Sequence, residues 1–323
     1  MSINCYINVD GGEILKKKGI LIVANTGDDS LTIVDFRKKL KVETVSLLSF
    51  VNLEKELYLD GFYIGPYEMS MSSEENKIYI VNAYNNTVFK MDMDKRKIED
   101  VVVVGSFPTS IKTFEGYIFI SNTDSNSVSI LDEKNFQLIQ NVPVGEKPVD
   151  IEIDRDTKKI LVANSNSYSI DVIDINSEGE GKIKLDKNPI KIFIEKGYMY
   201  VLSYINNGII NQSNISIINL HDRQIVKSIN LKGIFNNMIM INKKFIYLTN
   251  IDDGFLYKLD IKEDRILTKN FLKGMPNKIL WDKDKMLFIT NISENILTIF
   301  DIDKDKIYMN INTGKEPNGL LLL

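Results

Sequence analysis

Apolar and polar positions along this chain follow one phrase, used seven times. An apolar run ends in Asn, a short polar loop follows, and a second run ends in Asp. The first copy reads ILIVAN to Asn25, then TGDD, then SLTIVD to Asp35. The third reads YIFISN to Asn122 and SVSILD to Asp132. The fifth is degenerate, YMYVLS to Ser203 and NISIIN to Asn219. Runs this short, rich in Ile, Val and aromatic residues and bounded by Asn, Asp and Gly, predict strands. No stretch carries a convincing helical period.

The run-ending Asp or Asn residues stand at 35, 92, 132, 174, 219, 260 and 301, so the first spacing is 57 and the others are 40–45. That period, built from short strands, is the period of a β-propeller blade. A third element separates the copies and is usually opened by Gly and Pro: GPYEMSM at Gly65, FPTSIKT at Phe107, GEKPVDIEI at Gly145, NPIKIFI at Asn188, GIFNNMIMI at Gly233, GMPNKILW at Gly274 and GKEPNGLLLL at Gly314. Each blade is expected to have an inner strand after the Pro, two middle strands around the Asn-ended loop, and an outer strand after the Asp. The chain thus predicts an all-β, seven-bladed propeller of four-stranded antiparallel blades, one domain over 1–323. The first copy begins at its second strand, near Ile20, and the last inner strand ends the chain. Residues 314–323 should therefore complete blade 1 and close the ring. Residues 1–18 read as an N-terminal extension, in which the alternation of Ile3, Cys5, Ile7 and Val9 suggests an added edge strand.

The length of 323 residues would suit two domains of about 150 each, but the repeat makes it a ring. One Cys and one His exclude an internal disulfide and a Cys/His zinc site. A net charge of −4 argues against nucleic acid as a partner. Cys5 alternates like a buried small apolar residue, and His221 reads as a surface turn residue. No basic start followed by an apolar run marks a secretory leader, and no run approaches the roughly 20 apolar residues of a membrane span. The expected location is cytoplasmic, with cell-surface attachment by a non-classical route as the alternative.

YIFISNTDSNSVSILD followed by NVPVGEKPVDIEI resembles the blade of the YVTN-repeat, YncE-like propeller family, and the resemblance covers roughly 19–323. It departs at Phe235, which stands where the sixth Pro would be, and at Ser203 and Asn219 in blade 5; the Ser-Pro-Asp-Gly phrase is missing. The resemblance implies the seven-bladed fold. It does not specify the activity, since relatives range from binding proteins to enzyme subunits, lyases and lactonases. The lyase relatives rely on His chemistry, which a single His cannot reproduce.

The strand-ending Asn and Asp read first as turn formers that hydrogen-bond their own loops and tolerate left-handed geometry. Two departures from the repeat suggest where a site lies. Residues 41–64 read as an insertion between blades 1 and 2, carrying the aromatic run YLDGFYIGPY, and 204–214 read as an enlarged loop in blade 5. Both fall on one face of the disc. Tyr58, Phe62, Tyr63, Tyr67, Tyr84, Tyr168 and Tyr204 are the expected partner-binding residues of that face.

Two residues past each Pro position stand Glu68, Ser110, Asp150, Lys191, Asn237, Lys278 and Gly319, all polar or Gly. The next column is entirely apolar. The first six are the expected ligand-binding ring at the channel mouth. Two acids and two lysines nearly cancel, which suits a small polar ligand. No catalytic constellation and no cofactor is expected; oxygen ligands leave room for Mg²⁺ or Ca²⁺. The leading reading is a non-enzymatic ligand- or protein-binding scaffold. The alternative is a propeller enzyme of lyase or lactonase type, with Glu68 and Asp150 as the carboxylates and a divalent metal.

Overall fold

The computed structural model describes residues 19–38, 40–50, 63–74, 76–175, 180–206 and 211–323. These residues form seven four-stranded antiparallel sheets, each with consecutive strands as neighbours except the first. In that sheet Pro317–Leu322 is the inner strand, followed by Ile20–Asn25, Ser30–Asp35 and Lys41–Ser46. The closure expected from the two chain ends is present, with Leu21 opposite Leu322 and Val23 opposite Leu320. The other inner strands are Pro66–Met71, Pro108–Phe114, Pro148–Asp154, Asn188–Glu195, Phe235–Ile241 and Pro276–Trp281.

The middle strands are buried at nearly every position, as Ser30–Asp35 and Thr87–Asp92 are along their whole length, because each blade is covered on both sides. Alternate residues of Ile20–Asn25 serve opposite neighbours. Ile22 and Ala24 pack with Ile78, Ile80 and Phe89 of blade 2, while Leu21 and Val23 pack with Phe288, Leu297 and Ile299 of blade 7. The core is thus divided into seven sectors, one between each pair of neighbouring blades. Each fully buried Leu or Ile contributes roughly 1.5–3 kcal/mol.

The repeated polar residues lock the sectors. Asn25 and Asn122 are fully buried and donate to hydroxyls of the next strand: Asn25 Nδ2 to Ser30 and Thr32 at 2.9 and 3.0 Å, Asn122 Nδ2 to Ser127 and Ser129 at 3.1 and 2.8 Å. The expectation that the strand-ending Asn takes left-handed geometry is corrected. That conformation falls on the last loop residue, with φ of 58° at Asn86, 52° at Asn126 and 54° at Asn295. Their side chains accept from Phe107, Lys147 and Glu316 N–H, each at 2.9 Å. The Gly of the Val-Gly-x-x-Pro phrase makes room for the buried Asn: a Cβ on Gly105 would lie 2.6 Å from the Asn122 amide. The run-ending Asp is the turn former expected of it. Asp92 accepts from Lys95 N–H at 2.8 Å, Asp132 from Asn135 at 2.7 Å and Asp301 from Lys304 at 3.0 Å.

Both loop elaborations differ from the sequence reading. Residues 41–64 are not one insertion, because Lys41–Ser46 is the outer strand of blade 1, with Asp35 opposite Lys41 and Ser30 opposite Ser46. Its polar composition is that of a solvent-facing edge strand, which hid it. A short turn, Leu47–Phe50, follows, with Leu47 and Phe50 buried between blades 1 and 2. Residues 51–62, and with them Tyr58 and Phe62, lie outside the described residues, as do the expected edge strand at 2–10 and Cys5.

The blade-5 loop is largely strand. Tyr198–Asn206 and Asn211–Asn219 keep pairing through Tyr204 opposite Ser213 and Ile205 opposite Gln212. Ser203 here faces Asn214, whereas elsewhere Asn25 faces Ser30 and Asn122 faces Ser127. The two side chains have changed places across the hairpin. Asn214 Nδ2 donates to Ser228 Oγ and Asn230 Oδ1 at 2.8 and 2.9 Å, and Asn214 Oδ1 accepts from Ser216 at 2.8 Å.

Candidate functional site in the central channel

Each inner strand presents alternate residues to the channel, so residues two apart form successive levels of its wall. The first level is the expected ring. Glu68, Ser110, Asp150 and Asn237 are all less than 9% exposed, so the ring is a constriction inside the channel rather than an open mouth. Asp150 holds the Lys191 ammonium with both carboxylate oxygens, at 2.8 and 2.9 Å, and also accepts from the Ile192 N–H at 2.8 Å. Lys278 is paired with Glu68. The acid and lysine charges of the ring are therefore matched one to one. Asn237, between Lys191 and Lys278 in blade order, has a buried Oδ1 with no donor among the described residues.

One level on, four residues past the Pro position, stand Ser70, Lys112, Glu152, Phe193, Ile239, Leu280 and Leu321, all half-buried. Blades 2 to 4 supply the polar three, and Lys112 donates to Glu152 at 3.1 Å. Blades 5, 6, 7 and 1 supply the four large apolar side chains. These residues line a cavity of about 1060 Å³ that reaches Arg155, Lys243 and Lys283 in the turns of the face opposite the loop elaborations. The sequence reading used only the columns two and three past the Pro. The next channel-facing column lies two residues farther along the same strand face, so the strand period alone locates it.

Lys191 and Lys112 respond oppositely to this environment. Burial pushes the Lys191 amine below its ordinary value, Asp150 opposes that, and Lys278 and Lys112 add to it. Burial also acts against the Lys112 ammonium, but Glu152, Asp150 and Glu68 outweigh it and hold that group above its ordinary value. The difference follows from which charges crowd each amine.

On the other side of the ring lies a smaller polar space of about 150 Å³. Asn236, Asn277 and Asn318 line it, their amides meeting in sequence at 2.8 Å each. Tyr67 lines it too, and packs with Phe107, ring centroids 6.4 Å apart; Phe107 in turn lies 6.3 Å from Tyr84. Tyr67, Tyr84 and Phe107 are thus one aromatic cluster at the narrower mouth. Burial raises the Tyr67 phenol, with Glu68 and Tyr84 adding to the shift. Tyr63 and Tyr168 are exposed and Tyr204 is half-buried; none of these joins the cluster. Phe107 carries no repeat signal, because the position before the Pro varies from blade to blade: Gly65, Phe107, Lys147, Asn188, Ile234, Met275 and Glu316.

His221 is exposed in a turn, its N–H donating to Asn219 Oδ1 at 2.9 Å. Among the described residues no group of three or more His, Cys, Asp or Glu side chains is placed to hold a metal ion. No helix among them is long and apolar enough to cross a membrane.

No family model matches the chain, and no curated protein matches it in sequence. Solved structures share its fold. Hydrazine synthase of Kuenenia stuttgartiensis superposes with a TM-score of 0.73 at 19% identity, over 82% of this chain and 91% of that one. A putative 6-phosphogluconolactonase of Bacteroides fragilis gives 0.72 at 11% identity, over 95% and 99%. Apo AztD of Citrobacter koseri gives 0.60 at 14% identity, over 94% and 97%. At these identities the likeness is one of architecture, and the same ring serves differing activities.

Proposed function

We propose that this chain is a non-enzymatic binding propeller that holds a small amphipathic molecule in its central channel. The polar head lies at the ring of Glu68, Asp150, Lys191, Asn237 and Lys278, and the apolar body lies against Phe193, Ile239, Leu280 and Leu321. The two-sided lining of the channel carries this reading. A channel that served only to hold water would gain nothing from four large apolar side chains gathered on one wall. The volume of about 1060 Å³ matches the upper range of small-molecule pockets. The unpartnered Asn237 Oδ1 supplies an acceptor for a donor on the ligand head. Among the described residues, six basic and four acidic side chains line the cavity, and with Lys243 paired to Glu195 at 3.3 Å the excess, which includes Arg155 and Lys283 at the wider mouth, favours an anionic ligand.

The lyase or lactonase alternative is less well supported. A divalent metal needs carboxylates free to coordinate it, and Glu68, Asp150 and Glu152 are each engaged by a lysine. Thermal-shift titration with octanoate, benzoate and glucose tests the binding reading. The amphipathic acids should raise the melting temperature saturably, as a ligand of the folded state must, and glucose should not. Ile239→Asp, placed in the half-buried wall, should abolish the shift while the protein stays folded. Shifts that survive Ile239→Asp, or none with any amphipathic acid, would overturn it.

A further inference from the structure

We propose that Lys191 is a carbonyl-reactive amine, which condenses reversibly with an aldehyde or ketone of the channel ligand to form an imine. This rests on the channel reading above and assigns the ligand a chemical class. Lys191 Nζ stands where the ring meets the cavity, its side chain 15% exposed, and it lines the spaces on both sides. Few lysines are placed like this. Among the described residues most lysines are exposed, such as Lys38 with its side chain 69% exposed.

Four neighbours provide what the condensation needs. Asp150, in contact with the amine at 2.8 Å, takes the proton as Nζ becomes a nucleophile. Nζ then adds to the carbonyl carbon, the C–N bond forms, the C=O π bond breaks, and a proton passes from the nitrogen to the new alkoxide oxygen, giving a neutral carbinolamine. Asn237 Oδ1, an acceptor without a donor at the same level, suits the new hydroxyl. Asp150 returns the proton to that hydroxyl, the C–O bond breaks and water leaves, giving a protonated imine paired with the Asp150 carboxylate, so ammonium plus carbonyl give iminium plus water with no redox change. Lys112 and Lys278 make the site costly for a further positive charge, and the depressed basicity of Lys191 agrees with that placement. The charged groups around Lys191 are Asp150 and Glu152 on blade 4, Lys112 on blade 3, Glu68 on blade 2, Lys278 on blade 7 and Glu195 on its own strand.

The test uses 4-carboxybenzaldehyde as probe with sodium cyanoborohydride to trap the imine, followed by peptide mass spectrometry on the intact chain. Near neutral pH, Lys191 should label at least about tenfold faster than Lys38, as a lowered amine pKa and a held carbonyl require. Lys191→Arg should remove that label alone, and Asp150→Asn should slow it. Benzoate, which occupies the channel but forms no imine, should protect Lys191 and leave Lys38 unchanged. Lys191 labelling no faster than Lys38 overturns the inference. If benzoate still stabilises the protein in that case, the channel reading survives it. If benzoate neither stabilises nor protects, the channel reading fails first.

Discussion

Lys278 of blade 7 forms its ion pair with Glu68 of blade 2, reaching across the inner strand of blade 1. Gly319 is the blade-1 member of the ring and offers no side chain there. The pair spans blade 1, in which Ile20–Asn25 pairs with Pro317–Leu322. Gly319 also lies close to blade 2: a Cβ built on it would stand 2.6 Å from the Tyr67 carbonyl oxygen and 3.1 Å from Glu68 Cα.

Gly319→Ala should therefore destabilise the protein by about 1–3 kcal/mol, the usual cost of overpacking a closed site. The clash is with backbone, which cannot swing aside as a side chain can. Urea unfolding reads the loss as a lower midpoint with an unchanged slope. An unaltered midpoint would mean that the inner strands of blades 1 and 2 do not pack this closely.

Glu68→Gln tests the ion pair itself. It leaves the Lys278 ammonium, 24% exposed at its side chain, without its carboxylate. A fully buried charge stripped of its partner costs about 3–5 kcal/mol; solvent at Lys278 brings the expected loss to roughly 1–3 kcal/mol. Replacing both residues with Met should recover part of it. A double-mutant cycle showing no coupling would mean that the pair contributes nothing to closure.

The fold was legible in the sequence because seven repeats of one phrase outweigh any single ambiguous segment. The Pro position fixed strand phase, and counting two residues past it found Glu68, Asp150, Lys191 and Lys278. What pairs with what was not legible. Glu68 and Lys278 are 210 positions apart and meet only because Gly319 leaves the gap. The Phe193, Ile239, Leu280 and Leu321 wall lay in the next column on the same face and needed only the strand period to be carried one step farther. Lys41–Ser46 was lost because an edge strand alternates weakly and the long first spacing drew the eye to an insertion. Blade 5 looked degenerate because Ser203 and Asn214 trade roles across a hairpin, and pairing register cannot be read from either strand alone.

That exchange predicts a reciprocal rescue. Asn214→Ser removes the amide that bonds the exposed Ser228 and Asn230, and should cost about 1–3 kcal/mol because the buried Ile229 carbonyl and Ser216 hydroxyl also lose their Asn214 partner. Ser203→Asn alone crowds a fully paired site and should also destabilise. The double variant rebuilds the Asn-opposite-Ser pair of Asn25 and Ser30, and should be more stable than Asn214→Ser. Thermal melts of the three variants decide it. A double variant no better than the sum of the singles would show that the two positions are independent.

Asp92 should make its turn acid-labile through a defined set of contacts. Asp92 accepts the Lys95 N–H at 2.8 Å, and its other oxygen lies 2.9 Å from Lys95 Nζ. The Lys95 backbone hydrogen bond, then its side-chain bond, hold the carboxyl below its ordinary value, against a smaller effect of burial. The sign follows by linkage. A carboxyl whose folded pKa lies below its unfolded value of about 3.9 contributes stability above that value, and loses it as pH falls through the folded pKa. Asp92→Asn keeps an oxygen for the Lys95 N–H and removes only the charge. At pH 7 it should destabilise by about 0.5–1.5 kcal/mol, since Lys95 is largely solvated and contributes little as a surface partner. The gap between wild type and variant should close as pH falls through the folded pKa, where the wild-type carboxyl also becomes neutral. Guanidinium unfolding at pH 7, 4 and about 2.5 measures it against that expectation. A gap that stays constant across the series would mean that the ionised form of Asp92 is not what the turn stabilises.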